Sequence, residues 1–192
     1  MKRLCIIPRW SGGPEKDFYP WLRASLASLS PTAFDEILSP EMPDPGTPTI
    51  AAWTGRIREV VGADAKTLSE TVLLGHSVGC QAVLRFLATL PEGARVAGVL
   101  CVAGWFGVDK PWEMIRPWMD TPLDDAAIRA RAGKIAVVLS DNDPFTADHV
   151  ANAAAWKDRF GAEIVHVPGR RHFNEAEEPA VLEALLAHFG KA

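Results

Sequence analysis

Three short segments carry residue types that could together perform nucleophilic catalysis. The first is Gly75-His76-Ser77-Val78-Gly79, with a serine between two glycines. A serine hydroxyl attacks carbonyl carbon only when a base takes its proton, and that base needs an acid to orient it. The second segment, Ser140-Asp141-Asn142-Asp143-Pro144-Phe145, offers the acid. Asp143, followed by a stiffening proline, is the first choice and Asp141 the alternative. The third, Pro168-Gly169-Arg170-Arg171-His172-Phe173, offers the base, His172. The competing reading of Ser77 is a hydroxyl that only caps a helix.

The elements that must position these residues can be read from apolar periodicity. Continuous apolar runs place strands at Arg3–Ile7, Glu36–Leu38, Thr71–Leu74, Val96–Ala103, Lys134–Leu139 and Glu163–Val167. Strands covered on both faces read this way, so a mostly parallel sheet is expected. Amphipathic stretches place helices at Phe18–Ser28, Thr49–Val61, Cys80–Thr89, Asp124–Ala132, Ala147–Phe160 and Pro179–Phe189. Alternation of the two predicts an α/β domain spanning residues 1–192, with right-handed crossovers. Ser77 then sits between a strand and a helix, while Asp143 and His172 follow the last two strands. Sites in open α/β sheets lie at the carboxyl ends of strands, where all three fall. Of the other histidines, His149 and His188 fall in helices and His166 in a strand. His76 is read as supporting the turn.

Oxyanion stabilisation needs backbone N–H groups. Val78, after the serine, supplies one. The loop after the first strand, Pro8-Arg9-Trp10-Ser11-Gly12-Gly13, supplies the other from Trp10, with Arg9 next in line.

Bulk properties exclude several classes. The chain has 192 residues, 48% hydrophobic and 23% charged, with a formal net charge of -4. A nucleic-acid binder would present a basic face, so none is expected as partner. No apolar run reaches membrane-spanning length, so no membrane partner is expected. The start, Met1 to Pro8, reads as a strand and not as a signal peptide. A cytoplasmic location is therefore expected. Cys5, Cys80 and Cys101 are scattered in apolar segments and read as buried free thiols. No Cys-x-x-Cys pair is present, and Asp141-x-Asp143 lacks the Gly and Glu of a calcium loop, so no metal site is expected.

Together, Leu74-Gly75-His76-Ser77-Val78-Gly79-Cys80, Ser140-Asp141-Asn142-Asp143-Pro144-Phe145 and Gly169-x-x-His172-Phe173-Asn174 make the chain resemble the α/β-hydrolase superfamily. Within it, the likeness is to compact serine hydrolases of the YdeN and retinoblastoma-binding protein 9 type. Tyr19-Pro20-Trp21-Leu22 also fits. The resemblance implies a three-layer core with a six-stranded sheet in the order 2-1-3-4-5-6. It also implies a triad of Ser77, Asp143 and His172, which matches the superfamily's chain order. No cofactor is implied.

Two departures from the family pattern stand near the expected mouth of the site. Arg171 replaces the usual glycine before the histidine, and Arg9 follows Pro8 where glycine is usual. Either guanidinium could bind an anionic substrate group; the alternative is a solvent-facing side chain. The tryptophan-rich stretch Gly104–Pro122 reads as a small cap-like insertion after the fourth strand. Within it, Trp112, Ile115 and Met119 are spaced for one helical face. Trp105, Trp112 and Trp118 of this stretch, with Phe145 of the acid loop, are the expected substrate-binding aromatics, unless they only pack the domain.

The expected activity is hydrolysis of a small carboxylic ester or thioester through an acyl-enzyme on Ser77. The substrate would be a small molecule with an apolar acyl or alcohol part. Two other readings remain at this level: a non-catalytic binding or scaffolding protein, and a cofactor-free perhydrolase using the same triad. Oligomeric state is left open by the sequence.

Overall fold

The computed structural model describes residues 1–190. Strands β1 (Arg3–Ile7), β2 (Glu36–Leu38), β3 (Thr71–His76), β4 (Gly98–Val102), β5 (Lys134–Leu139) and β6 (Glu163–His166) form one sheet. Its order is β2-β1-β3-β4-β5-β6, and every neighbouring pair is parallel. Both the order and the helix-covered parallel sheet agree with the sequence expectation.

Successive residues of a strand point to opposite faces, and here both faces are buried. Leu4, Ile6, Val72, Leu74, Leu100, Val102, Ala136 and Val138 join one core. Helices α1 (Tyr19–Ala27) and α8 (Pro179–Phe189) cover it through Tyr19, Leu22, Leu26, Val181, Leu185 and Phe189. Cys5, Ile7, Leu73, Val99, Cys101, Val137 and Leu139 face the other way. There they meet α2 (Ile50–Val61), α4 (Val78–Ala88), α6 (Asp125–Arg131) and α7 (His149–Phe160). The strands read as unbroken apolar runs because neither face meets water.

Two short helices complete the order, α3 (Ala65–Ser69) and α5 (Arg116–Asp120). The first was not expected from the sequence; Asp64 caps it by accepting from the Thr67 N–H. The second corrects the reading of the insertion as a helix carrying Trp112, Ile115 and Met119 on one face. Pro117 lies in the first turn of α5, where a missing N–H costs nothing, and this sets the helix start at Arg116. Trp112 therefore sits in the preceding turn, its carbonyl accepting from the Ile115 and Arg116 N–H groups. Among the described residues, no helix is long and apolar enough to cross a membrane.

The junction of β3 and α4 is tighter than its sequence predicts. The strand runs on through Gly75 and His76, the helix begins at Val78, and Ser77 alone makes the turn. Ser77 adopts φ 55°, ψ −118°, a conformation that costs a non-glycine residue about 1–3 kcal/mol. The flanking glycines serve proximity and not the bend. A Cβ on Gly75 would lie 2.7 Å from the Cys80 backbone, and one on Gly79 would lie 2.4 Å from the Ile7 carbonyl oxygen. Gly55, in α2, has open space around it. Gly79→Ala is expected to destabilise the protein by about 1–3 kcal/mol through overpacking. Gly55→Ala is expected to stabilise it by about 0.5–1 kcal/mol. Chemical denaturation of the two variants beside the parent protein measures both.

Candidate active site

The strained turn puts Ser77 at the carboxyl end of the sheet. Its N–H donates to the Val102 carbonyl at 2.9 Å, tying the turn to β4. Its hydroxyl opens on a cavity of about 280 Å³. His172, from the loop after β6, opens on the same cavity.

Asp143 and His172 are joined directly. Asp143 Oδ2 lies 2.7 Å from His172 Nδ1, and both side chains are buried. A carboxylate there accepts, so Nδ1 carries the proton and Nε2 is left as the acceptor. Asp143 Oδ1 accepts from the Phe145 N–H at 2.9 Å, which fixes the carboxylate in the turn that Pro144 stiffens.

Asp141, the alternative acid, does something else. Its Oδ1 accepts from the Gly169 N–H at 2.8 Å. Ser140 Oγ accepts from the Arg170 N–H at 2.9 Å, and Asn142 Oδ1 from the Arg171 N–H at 2.7 Å. Three consecutive side chains of the acid loop thus bind three consecutive N–H groups of the histidine loop. They hold Arg171 at φ 51°, in the left-handed region that favours glycine. These bonds stand in for the conformational freedom that a glycine would supply there.

The side chain of His76, read from the sequence as a support for the turn, links separate segments. The Arg9 N–H donates to Tyr19 Oη at 3.0 Å, Tyr19 Oη lies 2.7 Å from His76 Nδ1, and His76 Nε2 lies 2.8 Å from the His172 carbonyl oxygen. A carbonyl can only accept, so Nε2 bears the proton and Nδ1 takes the tyrosine O–H. That assignment needs a neutral ring. Burial, and then the neighbouring His172, hold the His76 pKa well below its usual value. The chain of bonds joins the first loop, helix α1, the serine turn and the histidine loop.

The same chain of bonds distinguishes the two first-loop N–H groups considered from the sequence. The Arg9 N–H is taken by Tyr19. Among the described residues, the N–H groups of Trp10 and Val78 donate to no protein acceptor.

The remaining expected residues divide. Arg9, Trp10, Trp105, Trp112 and Phe145 line the cavity with Ser77 and His172. Ring contacts run continuously from Trp10 to Trp112 (centroids 4.7 Å apart), Trp112 to Phe145 (5.6 Å) and Phe145 to His172 (4.6 Å). Trp112 is 42% exposed at the rim. Val108, Ile115 and Asn174 also line the cavity. Asn174 was missed as a site residue although it lies in the Gly169–Asn174 motif.

Three expectations need correction. Trp118 is no part of the substrate wall: it is 1% exposed in the core. Its indole N–H donates to the Pro48 carbonyl, its ring meets Trp53 edge-on, and its carbonyl accepts from Arg85. Arg171 lies outside the cavity, facing a separate surface groove with Glu175 and Glu177. Arg9 does line the cavity, but its guanidinium is committed. Nε and Nη2 each lie 2.9 Å from an Asp17 carboxylate oxygen, and Nη1 donates to the Trp10 carbonyl. An anion-binding role for Arg9 or Arg171 finds no support in this arrangement.

Among the described residues, no group of three or more His, Cys, Asp or Glu side chains is arranged to hold a metal ion. Cys5, Cys80 and Cys101 are free and buried, and burial pushes the Cys5 thiol up to about 12.

A parallel sheet of this order, covered by helices on both faces and carrying a serine at the tight turn after its third strand, is an α/β-hydrolase fold. The particular family follows from its model: the description "Serine hydrolase" matches residues 4–190, and this chain belongs to that family. It is 27% identical over 195 residues to YdeN of Bacillus subtilis (strain 168), covering 99% of this chain and 97% of YdeN. It is 26% identical over 175 residues to serine hydrolase RBBP9 of Rattus norvegicus, covering 90% and 87%. The crystal structure of the ydeN gene product superposes over the whole of both chains with a TM-score of 0.83 at 24% identity. Est1E of Butyrivibrio proteoclasticus, solved with ferulic acid bound, covers 98% of this chain and 89% of its own with a TM-score of 0.67 at 16% identity.

Of the three tryptophans in residues 104–122, Trp112 and Trp118 separate cavity lining from core. Trp118→Ala removes a buried ring and is expected to cost about 3–5 kcal/mol of stability. Trp112→Ala is expected to leave stability within about 1 kcal/mol, because the ring is half exposed. It should instead lower the preference for longer acyl chains. Thermal unfolding and a series of p-nitrophenyl esters of increasing acyl length measure the two effects.

Proposed function

We propose that this protein hydrolyses small, uncharged carboxylic esters or thioesters through an acyl-enzyme on Ser77. The observation that carries the reading is the 2.7 Å bond between Asp143 and His172, with His172 and Ser77 opening on one cavity. The single-residue turn at Ser77 acts as a nucleophile elbow. His172 Nε2 takes the serine proton as Oγ attacks the carbonyl carbon, and returns a proton to the leaving alcohol or thiol. Asp143 holds the imidazole in the tautomer this requires and stabilises its charged form. The Val78 and Trp10 N–H groups receive the oxyanion. Water then enters on the same base and releases the acid.

The substrate class follows from the lining. Trp10, Trp105, Val108, Trp112, Ile115 and Phe145 offer apolar surface, and the one guanidinium present is matched by Asp17. Such a wall suits an uncharged apolar acyl or alcohol group. The insertion at residues 104–122 supplies much of it, as a small cap on the one hydrolase domain.

A fluorophosphonate probe is expected to label Ser77 in the parent protein and to leave Ser77→Ala unlabelled. Asp143→Asn should fold normally and lose roughly 10⁴-fold in kcat on a p-nitrophenyl ester, because the imidazole is then held in the wrong tautomer. Absence of Ser77 labelling would favour a binding protein built on this fold. Asp141→Asn is expected to keep most of the activity, since the amide oxygen can still accept from the Gly169 N–H and so hold the histidine loop.

A further inference from the structure

Ser77 Oγ has a neighbour that the triad does not use. Trp105 Nε1 lies 3.3 Å away. An indole N–H can only donate, so the serine oxygen accepts. Trp105 is 2% exposed and lines the cavity beside Ser77.

The main chain on both sides of the indole is held from two helices. Gln81, on α4, donates its side-chain amide to the Trp105 carbonyl. From α7, Asn152 Nδ2 and Trp156 Nε1 both donate to the Gly104 carbonyl, at 2.8 and 3.2 Å. These bonds place the indole by its backbone as well as by ring packing, and α4 is the helix that starts at the serine turn itself.

We infer that Trp105 is a catalytic residue whose N–H assists the departure of Ser77 Oγ when the acyl-enzyme breaks down; the inference rests on Ser77 being the nucleophile. In the free enzyme the N–H occupies one lone pair of Oγ and directs the hydroxyl proton away from the indole. When the C–Oγ bond forms, Oγ becomes an ester oxygen, a poor acceptor, and the hydrogen bond weakens. In deacylation His172 takes a proton from water, whose oxygen bonds to the acyl carbon. The tetrahedral intermediate then breaks its C–Oγ bond, the electron pair passes to Oγ, and His172 returns the proton to it. Charge that gathers on Oγ before the proton arrives is met by the Trp105 N–H.

The bond is therefore regained during deacylation, whereas acylation starts with it already made. Removing the donor slows deacylation more than acylation. For an ester with a good leaving group, kcat falls while kcat/KM, which reports acylation, changes little.

The test uses p-nitrophenyl butyrate with the parent protein, Trp105→Phe, and a variant carrying β-(3-benzothienyl)alanine at position 105. That analogue keeps the bicyclic shape and puts sulfur where the N–H was, so it preserves packing if phenylalanine does not. The expected result for either folded variant is a drop of about tenfold in kcat. KM should fall nearly in proportion, and a burst of p-nitrophenolate should approach one equivalent of enzyme. A rise in KM with kcat unchanged would assign Trp105 to binding and packing alone, and equal losses in kcat and kcat/KM with no burst would place its effect on acylation; either overturns the inference. If the parent protein neither turns over the ester nor takes the fluorophosphonate probe at Ser77, the hydrolase reading fails and this inference falls with it. Parent turnover without the kcat–KM split overturns only the role of Trp105.

Discussion

The close approach of helix α4 to strands β1 and β3 is the constraint on which the site depends. Gly79 brings the helix against the Ile7 carbonyl, and Gly75 brings the strand against Cys80, at separations that admit no Cβ. With both glycines spent on proximity, the reversal from strand to helix falls on one residue. Ser77 takes a conformation that glycine would adopt more cheaply, because only a side chain there could reach the cavity. The strain is offset by the packing of a helix whose inner residues are buried along its whole length. A chemically plain turn would accept glycine at that position.

The rest of the site is assembled by polar groups that have little freedom to choose other partners. Tyr19, His76 and the His172 carbonyl are buried, and each has a single sensible donor or acceptor arrangement. The hydrogen-bond direction fixed at the carbonyl propagates back through the imidazole to the phenol and the first loop. A buried network satisfied in only one way specifies its geometry strongly. It couples the first loop, helix α1, the serine turn and the histidine loop, and so positions the histidine by its main chain while Asp143 positions it by its ring.

Much of this was legible in the sequence, for physical reasons. The strands stood out because a parallel sheet buried on both faces leaves no polar residues to interrupt them. Ser77, Asp143 and His172 were found because each follows a strand, and the cavity and the Asp143–His172 bond bear on that choice directly. What spacing could not convey was the side-chain pairing of charges. Arg9 read as available for an anion because its partner, Asp17, lies eight residues on in an irregular loop at φ 51°. Trp118 read as wall because helical spacing says nothing of which way a five-residue helix faces. The apolar pattern around Trp112 was also misread as helical, although Pro117 marks where a helix there can begin. Tyr19 and His76 were noticed only as parts of motifs, since their hydrogen bonds join residues dozens of positions apart.

The three bonds from Ser140, Asp141 and Asn142 to the backbone of residues 169–171 have a consequence for how this family can diverge. Beyond Gly169, which takes φ 72°, the shape of the histidine loop is held from the acid loop. The side chain at 171 is thereby released from conformational duty, and an arginine stands at a φ that favours glycine, whereas position 169 is still filled by glycine. The substitutions that would be punished lie instead some thirty residues upstream, in a segment that is not itself strained. Selection on the histidine loop would be seen at Asn142 and Ser140, and aligning relatives on the residues beside the histidine alone would overlook it.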